Sequence, residues 1–181
     1  MRGVVLITGV MAAGKSTVAQ ALAERLPRAA HVRGDVFRRM IVSGREEYVP
    51  GADGESDGAC EGTAQLRLRY RLSAATADAY AEAGFTAVVQ DVVLGEDLPV
   101  YVGLVRTRPL HVVVLAPSPE AVAAREAGRA KTGYGAWTVE DLDGALRTDT
   151  PRLGLWLDSS ELTVGETVEA ILAGRERARV R

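Results

Sequence analysis

The 181-residue chain contains one cysteine, Cys60, and two histidines. A single cysteine excludes a disulfide within the chain and a cysteine cluster for zinc, and two histidines leave few ligands for a histidine-rich metal site. We therefore expect a reducing, cytoplasmic setting. The apolar start of the chain gives way to Gly9, and no run approaches the roughly 20 apolar residues that a membrane span needs, so we expect no membrane association.

The chain also lacks an excess of positive charge. Lys+Arg number 22 against 24 Asp+Glu, which gives a formal charge of -2. Binding to nucleic acid usually requires a basic surface, so we do not expect nucleic acid as a partner. Lysine occurs only at Lys15 and Lys131, and the other basic residues are arginine. Lys15 lies within residues 9–16, a glycine-containing motif in which the lysine is an essential residue.

The apolar pattern alternates between short β-rich runs and amphipathic stretches. It predicts strands over residues 3–8, 30–32, 85–89, 110–116 and 153–157, and helices over 15–26, 36–43, 63–83, 95–106, 119–129, 138–146 and 164–174. Strands that alternate with helices form parallel βαβ units. We therefore predict one α/β domain over residues 1–181, with three layers: a mostly parallel, roughly five-stranded sheet flanked by helices on both faces.

Segments outside this alternation carry expectations of their own. Residues 44–62 are rich in glycine and acidic residues and lack periodicity, which predicts a long, mobile surface loop. Asp35 precedes the second predicted helix and is expected to cap it. The basic tail over residues 175–181 is expected to be solvated and frayed.

The strongest motif is a phosphate loop that follows the first predicted strand and opens the first predicted helix. Its residues are Gly9, Val10, Met11, Ala12, Ala13, Gly14, Lys15 and Ser16, followed by Thr17. Glycines let the backbone N–H groups turn inward around phosphates, and the helix N-terminus adds positive potential. In this motif Lys15 reaches the β- and γ-phosphates and Ser16 ligates Mg²⁺. The sequence therefore predicts a P-loop NTPase fold for this α/β domain, and binding of ATP with Mg²⁺.

Two carboxylates follow buried strands whose ends meet at the same edge of a parallel sheet. Asp91 comes after residues 85–89 and Gln90, where a P-loop protein places its second magnesium-organising group, although a strand-end aspartate can also simply cap the next turn. Asp35 follows the second predicted strand. A carboxylate at this place can accept the proton of an attacking hydroxyl, which makes Asp35 a candidate catalytic base.

The early phosphate loop, the Gly34-Asp35 pair and the strand that ends in Gln90-Asp91 resemble the small-molecule P-loop kinases of the shikimate, gluconate and adenylate kinase type. Within that group the chain resembles chloramphenicol phosphotransferase and its relatives. The resemblance implies that Asp35 activates the acceptor hydroxyl and that Lys15 holds the transferred phosphoryl group. It also implies a lid over residues 125–136, in which Arg125 and Arg129 contact the adenine or the phosphates.

The predicted function is therefore ATP-dependent phosphoryl transfer to a hydroxyl of a small organic molecule, with antibiotics and other secondary metabolites among the candidates. Two alternatives stay open. One is a kinase of a primary metabolite, a nucleotide or a nucleotide-sugar, similar to gluconate kinases or zeta-type toxins. The other is a regulatory ATP-binding module without an acceptor of its own. The sequence leaves the oligomeric state open.

Overall fold

The computed structural model describes residues 1–48, 57–127 and 138–181, and for residues 57–60, 139 and 140 it describes the backbone alone. In the described part of the chain the strands are β1 Val4–Gly9, β2 Ala29–Arg33, β3 Thr86–Gln90, β4 Leu110–Leu115, β5 Leu155–Leu157 and β6 Arg179–Val180. The helices are α1 Lys15–Arg25, α2 Gly34–Arg39, α3 Asp57–Glu82, α4 Asp97–Leu104, α5 Pro119–Ala127, α6 Val139–Gly144, α7 Val164–Ala173 and α8 Arg175–Ala178, and a π-helical turn over Ala145–Asp149 follows α6.

Five parallel strands form the sheet in the order β2-β3-β1-β4-β5. Every residue of β1, β3 and β4 is buried, and successive side chains of a strand point to opposite faces, so both faces of the sheet are covered. Helix α1 packs against β3 and α7, and α3 packs against β3 and α4. These contacts confirm the predicted α/β architecture, a mostly parallel sheet between helices.

The sheet order determines where functional groups can meet. The chain passes from β1 into α1 and from β2 into α2 at the carboxyl edge of the sheet. Strand β3 lies between β1 and β2, and its last residue, Gln90, is paired with Ile7 on one side and with Arg33 on the other. The loop after β1 and the turn after β2 therefore flank the end of β3.

Two expectations for the middle of the chain are wrong in detail. Helix α2 begins at Gly34, so Asp35 lies in its first turn and the N-cap is Arg33. Helix α3 begins at Asp57, inside the segment expected to be a loop, and it reaches Glu82 as one continuous helix. The composition of this start masks the helical pattern, because residues 57–62 contain two acidic residues and two glycines and only Ala59 and Cys60 as apolar side chains. Of the rest of the predicted loop, residues 44–48 form neither helix nor strand, and residues 49–56 lie outside the described residues.

The expectation of a frayed tail is also wrong. Residues 175–178 form α8, in which Ala178 is fully buried, and β6 pairs antiparallel with Leu110 and His111 of β4. The physical reason is the short β5, which pairs with β4 only from Val113 to Leu115. The first residues of β4 would otherwise expose unpaired backbone groups at a sheet edge. Within the described ranges no helix is long and apolar enough to cross a membrane.

Candidate active site

The phosphate loop adopts the backbone conformation that its glycines allow. Gly9 and Gly14 have φ angles of 145° and 91°, and Ala12 has a φ of 57°, a left-handed conformation that residues with a side chain rarely adopt. A Cβ at Gly9 would also overlap the carbonyl oxygen of Leu115 on β4. Alternation of left- and right-handed residues turns successive N–H groups toward one point, which forms an anion-binding concavity. The loop thus has the shape that phosphates require.

Lys15 begins α1 and is buried, with 8% of its surface exposed. Its ammonium group donates a hydrogen bond to the carbonyl oxygen of Val10 at 2.6 Å, which folds the side chain back across the loop. The loop opens into a cavity of about 560 Å³, a volume suited to a cofactor-sized ligand. The residues that line it are Met11, Ala12, Ala13, Gly14, Lys15, Ser16, Thr17, Val18, Arg125, Ser159, Leu162, Thr163, Val164 and Thr167.

Another wall of the cavity is formed where α5 contacts the segment after β5. The guanidinium of Arg125 donates hydrogen bonds to the carbonyl oxygens of Ser159 and Ser160, at 2.6 and 3.2 Å. Ser159 is buried, and its hydroxyl has no hydrogen-bond partner among the described residues although it lines the cavity. A buried hydroxyl without a partner fits a polar ligand at this wall. Of the two predicted lid arginines, the structure brings Arg125 to the cavity, and Arg129 lies outside the described residues.

The end of β3 contacts the phosphate loop through Gln90. The hydroxyl of Ser16 donates a hydrogen bond to Gln90 Oε1 at 2.8 Å. Gln90 is buried, with 6% of its surface exposed, whereas Ser16 opens to the cavity. The group that faces the serine of the motif is therefore an amide oxygen.

Asp91, the residue after Gln90, contacts helix α3. Its carboxylate forms an ion pair with Arg69 of α3, in which Arg69 Nε donates to Oδ2 at 2.8 Å and a second guanidinium nitrogen contacts Oδ1. The backbone N–H of Val92 donates to Oδ1 at 2.7 Å. Asp91 is 1% exposed and the Arg69 side chain 16% exposed. The carboxylate predicted to organise magnesium is thus held by a buried guanidinium.

The turn that carries Asp35 rests on this ion pair. A Cβ at Gly34 would overlap the Asp91 carboxylate, so the residue before Asp35 has to be glycine for the two segments to approach this closely. The Asp35 side chain is about half exposed (53%) and accepts a contact from Arg39 at 3.0 Å, one turn further along α2. The carboxylate predicted to act as base is therefore open to solvent at the edge where the phosphate loop lies.

The surroundings of Asp35 are rich in paired charges. Arg38 forms an ion pair with Glu47, and Gln65 of α3 contacts the same segment by donating a hydrogen bond to the carbonyl oxygen of Gly44 at 2.7 Å.

Tyr70 is buried, and its hydroxyl donates a hydrogen bond to the carbonyl oxygen of Val92 at 2.9 Å. Burial, together with a nearby carboxylate, raises the pKa of Tyr70 above its usual value, so this hydroxyl stays protonated.

Sequence reasoning overlooked Arg69 and left Gln90 without a role. Arg69 is one of twenty arginines, and its neighbours Arg67 and Arg71, which share a helix face, are both exposed. An arginine that points inward from a long helix leaves no local signal in such an arginine-rich chain. Gln90 stands at the end of a buried strand, which places it near the phosphate loop, but the sequence does not show which face of the strand its side chain takes.

Magnesium fits the Ser16 hydroxyl, whose own proton is accepted by Gln90. In the described ranges no group of three or more His, Cys, Asp or Glu side chains could hold a metal ion. A metal here would therefore draw most of its ligands from a bound nucleotide and from water, as Mg²⁺ commonly does in nucleotide sites.

The phosphate loop on a parallel sheet, the cavity beside it and the carboxylate-bearing turn after β2 define a P-loop nucleotide-binding domain with the architecture of the small-molecule kinases. The chain belongs to the AAA_33 family: the model of this family, described as an AAA domain, matches residues 4–148. The comparison with curated protein sequences finds no match.

Solved structures share this fold at low sequence identity. A sugar kinase from Janibacter sp. HTCC2649 has 19% identity and a TM-score of 0.69, with 98% of this chain and 96% of that chain covered. The tunicamycin resistance protein from Deinococcus radiodurans has 19% identity and a TM-score of 0.64, with 100% and 99% covered. The APS kinase of Mycobacterium tuberculosis in complex with AMPPNP and APS has 18% identity and a TM-score of 0.67, with 97% and 98% covered. The similarity extends over the whole domain.

Proposed function

We propose that this protein is an ATP-dependent phosphotransferase that moves the γ-phosphate of ATP to a hydroxyl of a small organic molecule. One observation carries the proposal: two consecutive residues at the end of β3 contact the two halves of the site. Gln90 accepts a hydrogen bond from Ser16 of the phosphate loop, and the carboxylate of Asp91 packs against Gly34, next to Asp35. A nucleotide site and a solvent-open carboxylate therefore flank one strand end.

The residues have distinct roles in this proposal. The loop N–H groups and Lys15 bind the β- and γ-phosphates, which positions the phosphoryl group and stabilises its charge during transfer. Asp35 accepts the proton of the acceptor hydroxyl and orients its oxygen. Arg125 and Arg129 supply positive charge or stacking at the nucleotide. The Ser16 hydroxyl would hold Mg²⁺, and the metal would supply positive charge that neutralises the phosphates. The sequence also predicts a magnesium role for Asp91, but its carboxylate contacts Arg69 and the backbone N–H of Val92.

The nature of the structural neighbours supports an acceptor that is small. They include a sugar kinase, an APS kinase and a tunicamycin resistance protein, and each shares the fold over nearly its full length. We therefore propose a hydroxyl-bearing metabolite or antibiotic as the acceptor of this chain, and a cytoplasmic location in which ATP is available.

The test is ADP formation from Mg·ATP by the purified protein, alone and with a panel of hydroxylated antibiotics, sugars, nucleosides and nucleotide-sugars. We expect one class to raise the rate, and Asp35→Asn to lower transfer by about 10²–10⁴-fold, the usual contribution of a general base. Affinity for AMPPNP should stay within about twofold, because Asp35 does not line the cavity of the phosphate loop.

Asp143→Asn is the matched control. It removes the negative charge from an i,i+4 ion pair with Arg147 of the same kind as the Asp35–Arg39 pair, on α6 instead of α2. Transfer by this variant should be unchanged. Full activity of Asp35→Asn would remove Asp35 from the mechanism, and nucleotide binding without a response to any acceptor would favour the regulatory module.

A further inference from the structure

The phosphate-loop serine has two possible partners at the end of β3, and the structure shows which one it uses. Ser16 and Gln90 are 74 residues apart in sequence, and the serine hydroxyl donates to Gln90 Oε1 at 2.8 Å. Asp91, the acidic neighbour, follows in the next position of the chain. The serine therefore gives its proton to a neutral amide, although a carboxylate is one residue away.

The Asp91 carboxylate is occupied by contacts with Arg69 and the backbone of Val92. One of its oxygens accepts from Val92 N–H and contacts Arg69, and the other accepts from Arg69 Nε. At 1% exposure the carboxylate has no access to solvent, and the guanidinium beside it balances its charge. Its oxygens and its charge are thus used in joining β3 to α3, under the turn that begins at Gly34.

The chemistry of a hydroxyl explains why the partner of Ser16 matters. A serine hydroxyl has one proton to donate and two lone pairs to offer. When the proton is fixed by an acceptor on the strand side, the lone pairs point away from it. Ser16 opens to the cavity on its other side. Partners of this kind, which do not touch the metal, commonly set the orientation of a metal ligand.

We propose that Gln90 is the positioning residue of the magnesium site: it holds the Ser16 proton so that the hydroxyl presents a lone pair to a metal that arrives with the nucleotide. The inference rests on the proposed nucleotide site and assigns its metal support to Gln90, with Asp91 serving the Arg69 ion pair. Since Gln90 is neutral, the protein contributes no formal negative charge through this pair.

The experiment measures how strongly the metal and the nucleotide support each other. The dissociation constant of AMPPNP is determined by titration calorimetry at 10 °C in Mg²⁺ and in EDTA, and the ratio of the two constants reports the metal coupling. Gln90→Leu should reduce this ratio by about tenfold, the lower end for loss of such a partner, and leave the constant in EDTA within about twofold. Gln90→Glu keeps an acceptor oxygen and should restore most of the coupling.

Asp91→Asn distinguishes the two assignments. Its coupling ratio should stay within about threefold of the wild type, with folding checked by circular dichroism at the same temperature. An unchanged ratio in Gln90→Leu, or a ratio lost in Asp91→Asn and kept in Gln90→Leu, would overturn the inference. Absence of AMPPNP binding by the wild-type protein under both conditions would instead refute the proposed nucleotide site, so the two failures are distinct.

Discussion

The buried ion pair between Arg69 and Asp91 should contribute strongly to folding, because each partner compensates a charge that has left water. Arg69→Met leaves the Asp91 carboxylate, 1% exposed, with the hydrogen bond from Val92 N–H as its one partner among the residues that the structure describes. Breaking a buried pair from one side costs about 3–5 kcal/mol. The Arg69 side chain keeps 16% of its surface exposed, so water relieves part of this cost. We expect a loss of about 3 kcal/mol for Arg69→Met.

Asp91→Asn should cost less, since asparagine keeps an oxygen for Val92 N–H and the remaining guanidinium can reach water. Urea denaturation at pH 7, followed by circular dichroism, measures both variants and the double variant, which should lose less than the sum by at least about 1 kcal/mol. In a chain of this length about 3 kcal/mol corresponds to a drop in Tm of roughly 6–12 °C.

The exposed Arg38–Glu47 pair provides the control. Its side chains are 31% and 76% exposed, and Arg38→Met should cost less than about 1 kcal/mol. The reasoning is refuted if Arg69→Met costs no more than this control, or if the effects of Arg69→Met and Asp91→Asn simply add.

Three other positions test single contacts. Gly34→Ala should lower the free energy of unfolding, measured in urea, by about 1–3 kcal/mol, because its Cβ would overlap the buried Asp91 carboxylate. Gly103→Ala in α4, where a Cβ meets open space, should not destabilise the fold. Equal effects of the two substitutions would contradict this explanation. Burial of Asp78 opposes its ionisation, but hydrogen bonds from two backbone N–H groups outweigh burial and lower its pKa. The stability it adds is therefore complete above about pH 4, its unfolded pKa, and the difference between wild type and Asp78→Asn should shrink as the pH falls further; a constant difference would contradict it. Arg125→Leu removes two hydrogen bonds to the cavity wall and should weaken AMPPNP binding by about tenfold in calorimetry, and unchanged affinity would exclude Arg125 from the site.

The sequence predicts those features that the backbone itself requires. The phosphate loop needs glycine at left-handed positions, and Gly9 and Gly14 have those φ angles. Buried parallel strands need continuous apolar runs, so β1, β3 and β4 are visible as such in the sequence. The capping box of α6, formed by Thr138 and Asp141, is equally local and also predictable.

Features that depend on distant partners could not be predicted in this way. The antiparallel β6 exists because β5 is too short to cover the start of β4, which only the assembled sheet reveals. The direction in which Gln90 and Asp91 point depends on which face of β3 meets α1 and which meets α3. Alternation along the strand requires opposite directions for the two, but does not say which residue faces the phosphate loop. The role of Arg69 depends on that same choice.

The order of the strands also sets the span between the two segments of the candidate site. Strands β1 and β2 are separated by β3 alone, so the ends from which the phosphate loop and the Asp35 turn start lie two inter-strand spacings apart, about 9.6 Å. Backbone hydrogen bonds of the sheet maintain this span, and side chains of the surrounding helices do not. Substitutions on the exposed faces of α2 and α3 can therefore change the surface around Asp35 while the separation between the phosphate loop and the Asp35 turn stays constant.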